Sequence, residues 1–439
     1  MDEMSGNELR GRVSGRVLLP GEDGFDAAVL PWNRAVGQSA VAAVVEAANA
    51  DDVAAVVRHA RGAGLSVSAQ PSGHGASGNI EGVILVRTAA LDRLEVLPER
   101  RLARAGAGVT WGRVQAAAGP YGLTGLAGTS PVVSVTGYTL GGGLSWFSRR
   151  YGWGADGVRA FEVVDADGER RRIDAESDPE LFWALRGGGG DFAIVTEVEF
   201  ELYPAADLYG GRVIWPEARA AEVLDAFREI TAEAPPELSL WFSRLNIPQT
   251  PPMVAVDLAH LGTADEAREL LARLDKIGGV ISDTRGTLSP ADLGDITKDP
   301  ADPAPVKSRT ELLARLDDEV AGILLAGPID PLINVQVRHL GGALAEDRPD
   351  RGAAGAVAEP YLLYTLGPAL NPELAAAIDD RQRRLVAELG GVVTGRKPYT
   401  FLGGGETAEA AFPATALDRL RAIKHARDPR GVIRANFPV

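Results

Sequence analysis

DDVAAVVRHARGAGLSVSAQPSGHGASG, residues 51–78, contains the change of periodicity from which the fold is read. Val53, Val56, Val57 and Ala60 recur at the spacing of one helical face, which predicts a helix capped by Asp51 or Asp52 and stopped by Gly62 and Gly64. Residues 65–70 then read as a short strand, the chain turns through PSGHGASGN, and the apolar run GVILV at 82–86 reads as a buried strand. Helix, strand, glycine loop and strand follow one another, and the loop carries His74.

Further along, Thr110, Trp111 and Val114 begin a short helix after AGAG, and Ser177 or Asp178 with Pro179 opens ELFWAL ahead of the four glycines at 187–190. After Tyr203 and Pro204 the texture changes to longer helices, predicted at 216–233, 263–277, 309–325 and 371–389. Strands are predicted between them at 238–243, 253–259, 332–340, 360–366 and 398–402, which implies a sheet covered by helices and a domain boundary near 205. The Pro- and Asp-rich stretch 286–308 reads as an insertion ahead of a mobile lid.

Composition removes several function classes. A chain of 439 residues is too long for one ordinary core, and 45% hydrophobic with 24% charged residues is a folded composition. The net charge of −15 argues against nucleic acid or an anionic membrane as partner and favours a small uncharged or cationic ligand. With no cysteine there is no disulfide, no Cys-ligated zinc or iron–sulfur site and no thiol nucleophile, and no metal site is expected. Charged residues break up the first thirty positions and no apolar run reaches the ~20 residues of a membrane span, so a soluble cytoplasmic protein is expected. Oligomeric state is not legible in one sequence.

Glycines cluster at 73–78, at 137–143 in GYTLGGG and at 187–190 in RGGGGDF. Tight turns alone need fewer, whereas backbone-lined concavities suit a pyrophosphate and a flat ring, so a dinucleotide cofactor is inferred. GAGVTWG at 106–112 approximates the G-x-G-x-x-G fingerprint but is one residue too long, and the flanking ERRLARA does not read as a buried central strand. No phosphate-loop signature occurs, so the nucleotide is held by another fold.

PWN at 31–33, the stretch 51–78, RAGAGVTWGRV at 104–114, GLTGLAGTSPVVSVTGYTLGGGLSWFSRRYGWGADGV at 122–158, DPELFWALRGGGGDFAIVTEVEFELYP at 178–204 and the tail DRLRAIKHARDPRGVIRANFPV together resemble the FAD-linked oxidases of the berberine bridge enzyme class. The resemblance implies an α+β protein of the vanillyl-alcohol oxidase type. Its FAD-binding domain would comprise residues 1–204 and 406–439, with a substrate domain at 205–405 inserted between them. His74 stands where this class joins histidine to the 8α-methyl of the flavin; the alternative is a histidine that only hydrogen-bonds a phosphate. The cofactor site implied by the resemblance further includes Gln70, Pro71, Ser72, Gly73, Gly75, Ala76, Gly128, Thr129, Ser130, Val135, Gly137, Thr139, Gly141, Gly142, Gly143, Tyr151 and Val195.

Three departures restrict the chemistry. Gln70 stands where many relatives carry arginine, and Ser130 stands where many place a second, cysteinyl flavin link, so a single linkage is expected. The Tyr-x-Asn motif that often supplies a base has no clean match in KPYTFLGG. Tyr399 is the nearest candidate base, with Lys397 or Arg396 as the cation that would lower its pKa; Tyr361 and Tyr364 follow. His59, His260, His339 and His425 are read as structural. The leading expectation is an oxidase that moves hydride from a secondary-metabolite-like alcohol or amine to FAD and then to dioxygen, giving hydrogen peroxide. The rivals are a flavin-containing sequestration protein and an oxygen-unreactive flavin dehydrogenase.

Overall fold

In a computed structural model, which describes residues 3–38 and 40–439, the helix Ala50–Ala63 buries Val53, Val56, Val57 and Ala60 completely. Its cap is Asn49, not Asp51 or Asp52: the Asn49 side chain accepts from the Asp52 amide at 3.0 Å. The Asp52 carboxylate instead accepts the amides of Ser14, Gly15 and Ala48, each at 2.8 Å, fastening the preceding strand to the helix. Gly62 lies inside the helix, and Gly64, at φ 70°, ends it.

Strands Ser66–Ala69 and Val83–Arg87 pair in parallel, as do Ala43–Glu46 and Val83–Arg87, with Arg16–Leu18 antiparallel at the edge. Parallel neighbours need a connection of a dozen or more residues to bring the chain back. Here the 70–82 loop is that connection, so His74 lies on a crossover and not on a tight turn. A second, antiparallel sheet has the order Leu94–Leu97, Leu102–Gly106, Ile194–Glu201, Val158–Val164, Arg170–Ile173. Leu102–Gly106 is an interior strand with Leu102, Ala103 and Ala105 buried, contrary to the reading of ERRLARA. The basic residues misled because Arg104 projects to Glu199 at 2.6 Å. Antiparallel pairing still leaves GAGVTWG outside a βαβ unit.

The chain's end returns to these sheets. Ile433 bridges Val67, Gln70 Nε2 donates to Asn436 Oδ1 at 3.1 Å, and Arg427 grips Asp178 with two bonds of 2.7 Å.

Between these parts, an antiparallel sheet has the order Ser282–Asp283, Leu208–Pro216, Met253–Leu261, Leu238–Leu245, Asn334–His339, Tyr361–Pro368, Val306–Leu313, with Gly286–Thr287 also on Leu208–Pro216. Helices Ala220–Glu233, Asp318–Leu325 and Pro372–Leu389 cover one face, where Leu240, Phe242, Val256, Val337 and Leu363 form the core. The helix expected at 309–325 is a strand, Val306–Leu313, followed by a helix capped by Asp317. Leu313, Leu316, Val320 and Leu324 keep a helical spacing across the break, which hid it. The helix expected at 263–277 divides into Ala264–Leu270 and a 3-10 turn at Leu274–Lys276, and the strand expected at 398–402 is a 3-10 turn, Tyr399–Phe401.

The 286–308 stretch is anchored at both ends. Leu293 and Ile296 are buried against Trp146, Phe147 and Trp241, and Ala301 O accepts from Trp32 Nε1 at 3.2 Å. Asn33 Oδ1 accepts from the Val306 amide at 3.2 Å. Arg149, from the turn Ser148–Tyr151, crosses to the large sheet, donating to Leu238 O and Ala234 O at 2.9 Å, Pro235 O at 3.2 Å, Leu340 O, and His339 Nε2 at 2.8 Å.

Burial, and then the Arg149 charge, push the His339 imidazole down to about 3, from an ordinary 6.5. The unfolded chain therefore binds a proton that the folded chain refuses, and this contribution to stability is complete above pH 6.5 and lost as pH falls toward 3. Urea midpoints should be lower at pH 5 than at pH 7.5, with about 2 kcal/mol of the difference due to this ring. His339→Gln should remove that share; an unchanged pH dependence in the variant refutes the assignment.

Candidate functional site

The crossover loop holds His74 by two contacts. Its Nδ1 lies 2.8 Å from Ser72 Oγ, and its ring stacks on Trp32 with centroids 4.3 Å apart at 17°. Its Nε2 is buried and has no hydrogen-bond partner among the described residues. Burial pushes the imidazole down to about 4, so near neutrality the ring is uncharged and one nitrogen keeps its lone pair. Gly73 has φ 77°, and a Cβ there would sit 2.8 Å from Pro31 Cα, whereas one on Gly75 would meet nothing within 4 Å. The loop is tight behind His74 and open beside it. Gln70 is buried, with Nε2 on Asn436 and Oε1 unpartnered; Pro71 is half-buried and Ala76 buried.

The second glycine run wraps a tyrosine. Ser134 caps the short helix Val135–Leu140 by accepting from the Gly137 amide at 3.2 Å, and Val135 and Thr139 point into the core. Gly142 and Gly143 have φ 100° and 77°, and a Cβ on Gly143 would run 2.3 Å from the Tyr138 ring, so only glycine lets the chain pass Tyr138. Gly128 approaches the same ring and Gly141 abuts Thr400. The hydroxyl oxygens of Ser130, Thr136 and Tyr138 are buried without partners among the described residues. Thr129 O faces Gly294 of the anchored 286–308 stretch.

The third run differs. A Cβ on Gly187 would strike Ala354 and one on Gly189 the Tyr399 hydroxyl, so these glycines accommodate protein and do not line an opening. Val195 is buried in the core cluster that holds Val135, and Tyr151 stacks on Tyr203 at 4.1 Å.

A buried polar atom without a partner costs about 1–3 kcal/mol. Five such atoms, Gln70 Oε1, His74 Nε2, Ser130 Oγ, Thr136 Oγ1 and Tyr138 OH, belong to the loops that the sequence assigns to a cofactor. A polar dinucleotide satisfies such atoms, so the residues present fit FAD.

The sheet face away from the covering helices is polar. Arg212 binds the fully buried Asp257 with two bonds, Gln336 Nε2 donates to Ser243 Oγ at 3.0 Å, and Arg338 Nε donates to Gln336 Oε1 at 2.7 Å. Strand alternation separates the candidate tyrosines. Tyr361 turns to the helix-covered core, with its hydroxyl 3.2 Å from Thr231 Oγ1, whereas Tyr364 shares the polar face, with its ring 5.1 Å from the Arg338 guanidinium. Tyr399 is not on this sheet: its hydroxyl donates to Phe437 O at 2.8 Å. Burial, then Asp191, push its phenol well above the ordinary range, and Lys397, expected to lower it, is taken up by Glu311 and Glu406. Trp32, Tyr138, Gln336 and Arg338 escaped the sequence reading. The visible signal for the last two was NVQVRH at 334–339, where polar side chains alternate with buried valines.

Comparison with known proteins agrees with this geometry. Residues 41–174 match the FAD binding domain family. The chain is 30% identical over 282 residues to (R)-6-hydroxynicotine oxidase of Paenarthrobacter nicotinovorans, covering 62% of this chain and 60% of that protein. It is 35% identical over 227 residues to an FAD-dependent monooxygenase of Cochliobolus heterostrophus, covering 50% and 44%. The chain thus spans about half the length of the curated relatives it matches. Among solved structures, 6-hydroxy-D-nicotine oxidase from Arthrobacter nicotinovorans superposes with a TM-score of 0.82 at 25% identity, over 96% of this chain and 97% of that one. A berberine bridge enzyme-like protein of Physcomitrella patens gives 0.85 at 19%, over 98% of each, a likeness of fold alone. The chain carries an FAD-binding domain and has the two-domain fold of this class. Beyond that domain it is similar to FAD-linked oxidoreductases, 6-hydroxynicotine oxidase among them. Among the described residues no helix is long and apolar enough to cross a membrane.

Proposed function

We propose that this chain is an FAD-dependent oxidase that takes hydride from a C–H bond of a small, secondary-metabolite-like alcohol or amine and delivers the electrons to dioxygen as hydrogen peroxide. The observation that supports it most is the pairing of two surfaces. The loop with unspent polar atoms at Thr136 and Tyr138 abuts Thr400 through Gly141, and the adjacent Phe401 ring lies 5.6 Å from the Arg338 guanidinium of the polar sheet face. The nicotine oxidase relative supports oxidase chemistry over sequestration.

FAD, when bound, supplies the two-electron acceptor for the substrate hydride. His74 holds it through a single covalent bond from Nε2, the ring nitrogen that Ser72 leaves free. Residues to about 204 and from about 406 form the cofactor half, and 205–405 the substrate half. Tyr364, not Tyr399, takes the substrate proton, because it alone of the three candidates lies on the polar face. Burial pushes its phenol up and Arg338 pulls the other way.

Anaerobic photometry with a panel of alcohols and amines tests the activity: bleaching of the flavin band is turnover, and a shift without bleaching for every ligand refutes it. With a bleaching substrate, Tyr364→Phe should slow reduction about 100-fold while leaving affinity nearly unchanged. Tyr399→Phe should cost about 1 kcal/mol of stability and leave the rate alone. The reverse pattern returns the role to Tyr399.

A further inference from the structure

The strand Asn334–His339 buries a charge that no carboxylate among the described residues bonds. Arg338 is 8% exposed, and among the described residues it makes no ion pair. Its one hydrogen bond there runs from Nε to Gln336, leaving both terminal nitrogens of the fork unspent. The guanidinium lies 4.1 Å over the Trp241 ring, 5.1 Å from Tyr364 and 5.6 Å from Phe401. Trp241 in turn stacks on Trp146 at 3.8 Å, which fixes the platform. The carboxylate on the same face, Asp257, is held by Arg212 and Ser243, and Asp299 is exposed on the anchored stretch. Arg212 and Asp257 pair with each other, and the exposed Asp299 acts on Arg338 only through space, so among the described residues no carboxylate engages the planar fork that Arg338 holds between aromatic rings.

Buried cations persist in proteins when something neutralises them, and a guanidinium fork matches a carboxylate edge on. We infer that the site takes substrates bearing a planar anionic group, a carboxylate on an aromatic or unsaturated body, which pairs with Arg338 between Trp241, Tyr364 and Phe401. This rests on the polar sheet face being the substrate side, as proposed above. It differs from the expectation of an uncharged or cationic ligand drawn from the net charge of −15. Exposed charges are screened over about 8 Å at physiological salt, whereas a buried guanidinium is screened much less.

The test is calorimetric titration of the protein, as purified with its flavin, using benzoate as the probe and benzamide as its neutral twin. Benzoate should bind at least about 10-fold more tightly than benzamide. Arg338→Gln should weaken benzoate about 10- to 100-fold and leave benzamide unchanged, and Arg338→Lys, which keeps charge but loses the fork, should fall between. Equal affinity for the two ligands in wild type, no benzoate heat, or equal benzoate affinity in wild type and Arg338→Gln overturns the inference. Should Arg338→Gln not fold, the wild-type comparison and Arg338→Lys still decide. Heat of binding does not depend on flavin chemistry, so a preparation that binds benzoate through Arg338 but never bleaches refutes the oxidase reading and leaves this one standing.

Discussion

Denatured wild-type protein should stay yellow and show the polypeptide mass plus one FAD, and His74→Ala should show the polypeptide mass alone. The expectation rests on the state of the ring. Its Nε2 is buried and without a hydrogen-bond partner among the described residues, and the ring is uncharged near neutrality; with the proton on Nδ1, shared with Ser72, the Nε2 lone pair is available for attack on an electrophilic methyl group. Ser72 at Nδ1 and the Trp32 stack fix its orientation. A second bond has no donor: there is no cysteine, and the unpartnered hydroxyl of Ser130 is a far weaker nucleophile than a thiolate. His74→Ala should still bind FAD reversibly, because the other loops are untouched. Colourless denatured wild type, or a flavin peptide lacking His74, refutes the tether.

Truncation after Glu406 should give insoluble or flavin-free protein. The lost segment supplies Arg427 to Asp178, and to Asp191 the Lys424 side chain and the amides of Ala435 and Val439. Breaking a buried pair by removing one partner costs about 3–5 kcal/mol, and total stability is about 5–15 kcal/mol. Two such losses, with Leu417, Leu420, Ile423 and Phe437 stripped from the core, exceed what the remainder can hold. A soluble 1–406 fragment carrying a full complement of flavin refutes the dependence.

The glycine loops of the FAD-binding domain were more legible in the sequence than the polar face of the large sheet, for a physical reason. Glycines such as Gly73 and Gly143 are dictated by close approach of backbone to ring or chain, a local constraint that leaves a local mark. The polar sheet face is assembled from strands far apart in the chain: Asp257 meets Arg212, and Ser243 meets Gln336, through pairing order alone. Tyr399 shows the same limit from the other side. It stands where the sequence comes nearest to a family motif that it does not match, and the 3-10 turn delivers its hydroxyl to the Phe437 carbonyl. The helix at 50–63 is legible in the sequence, but its cap depends on which polar side chain among Asn49, Asp51 and Asp52 turns back, and Asp52 has other amides to satisfy.

Arg149 carries a consequence for motion. A guanidinium has five N–H donors, and this one spends them on four carbonyl oxygens and one imidazole nitrogen of the large sheet and its edge loops. Swinging the sheet away as a rigid body would strand all of them before water could reach, so hinge opening is the steep coordinate of this molecule. Ligand exchange must then proceed by small local openings, and the sheet and the element bearing Arg149 should melt in one cooperative step, with amide exchange at Leu340 as slow as that of the central strands.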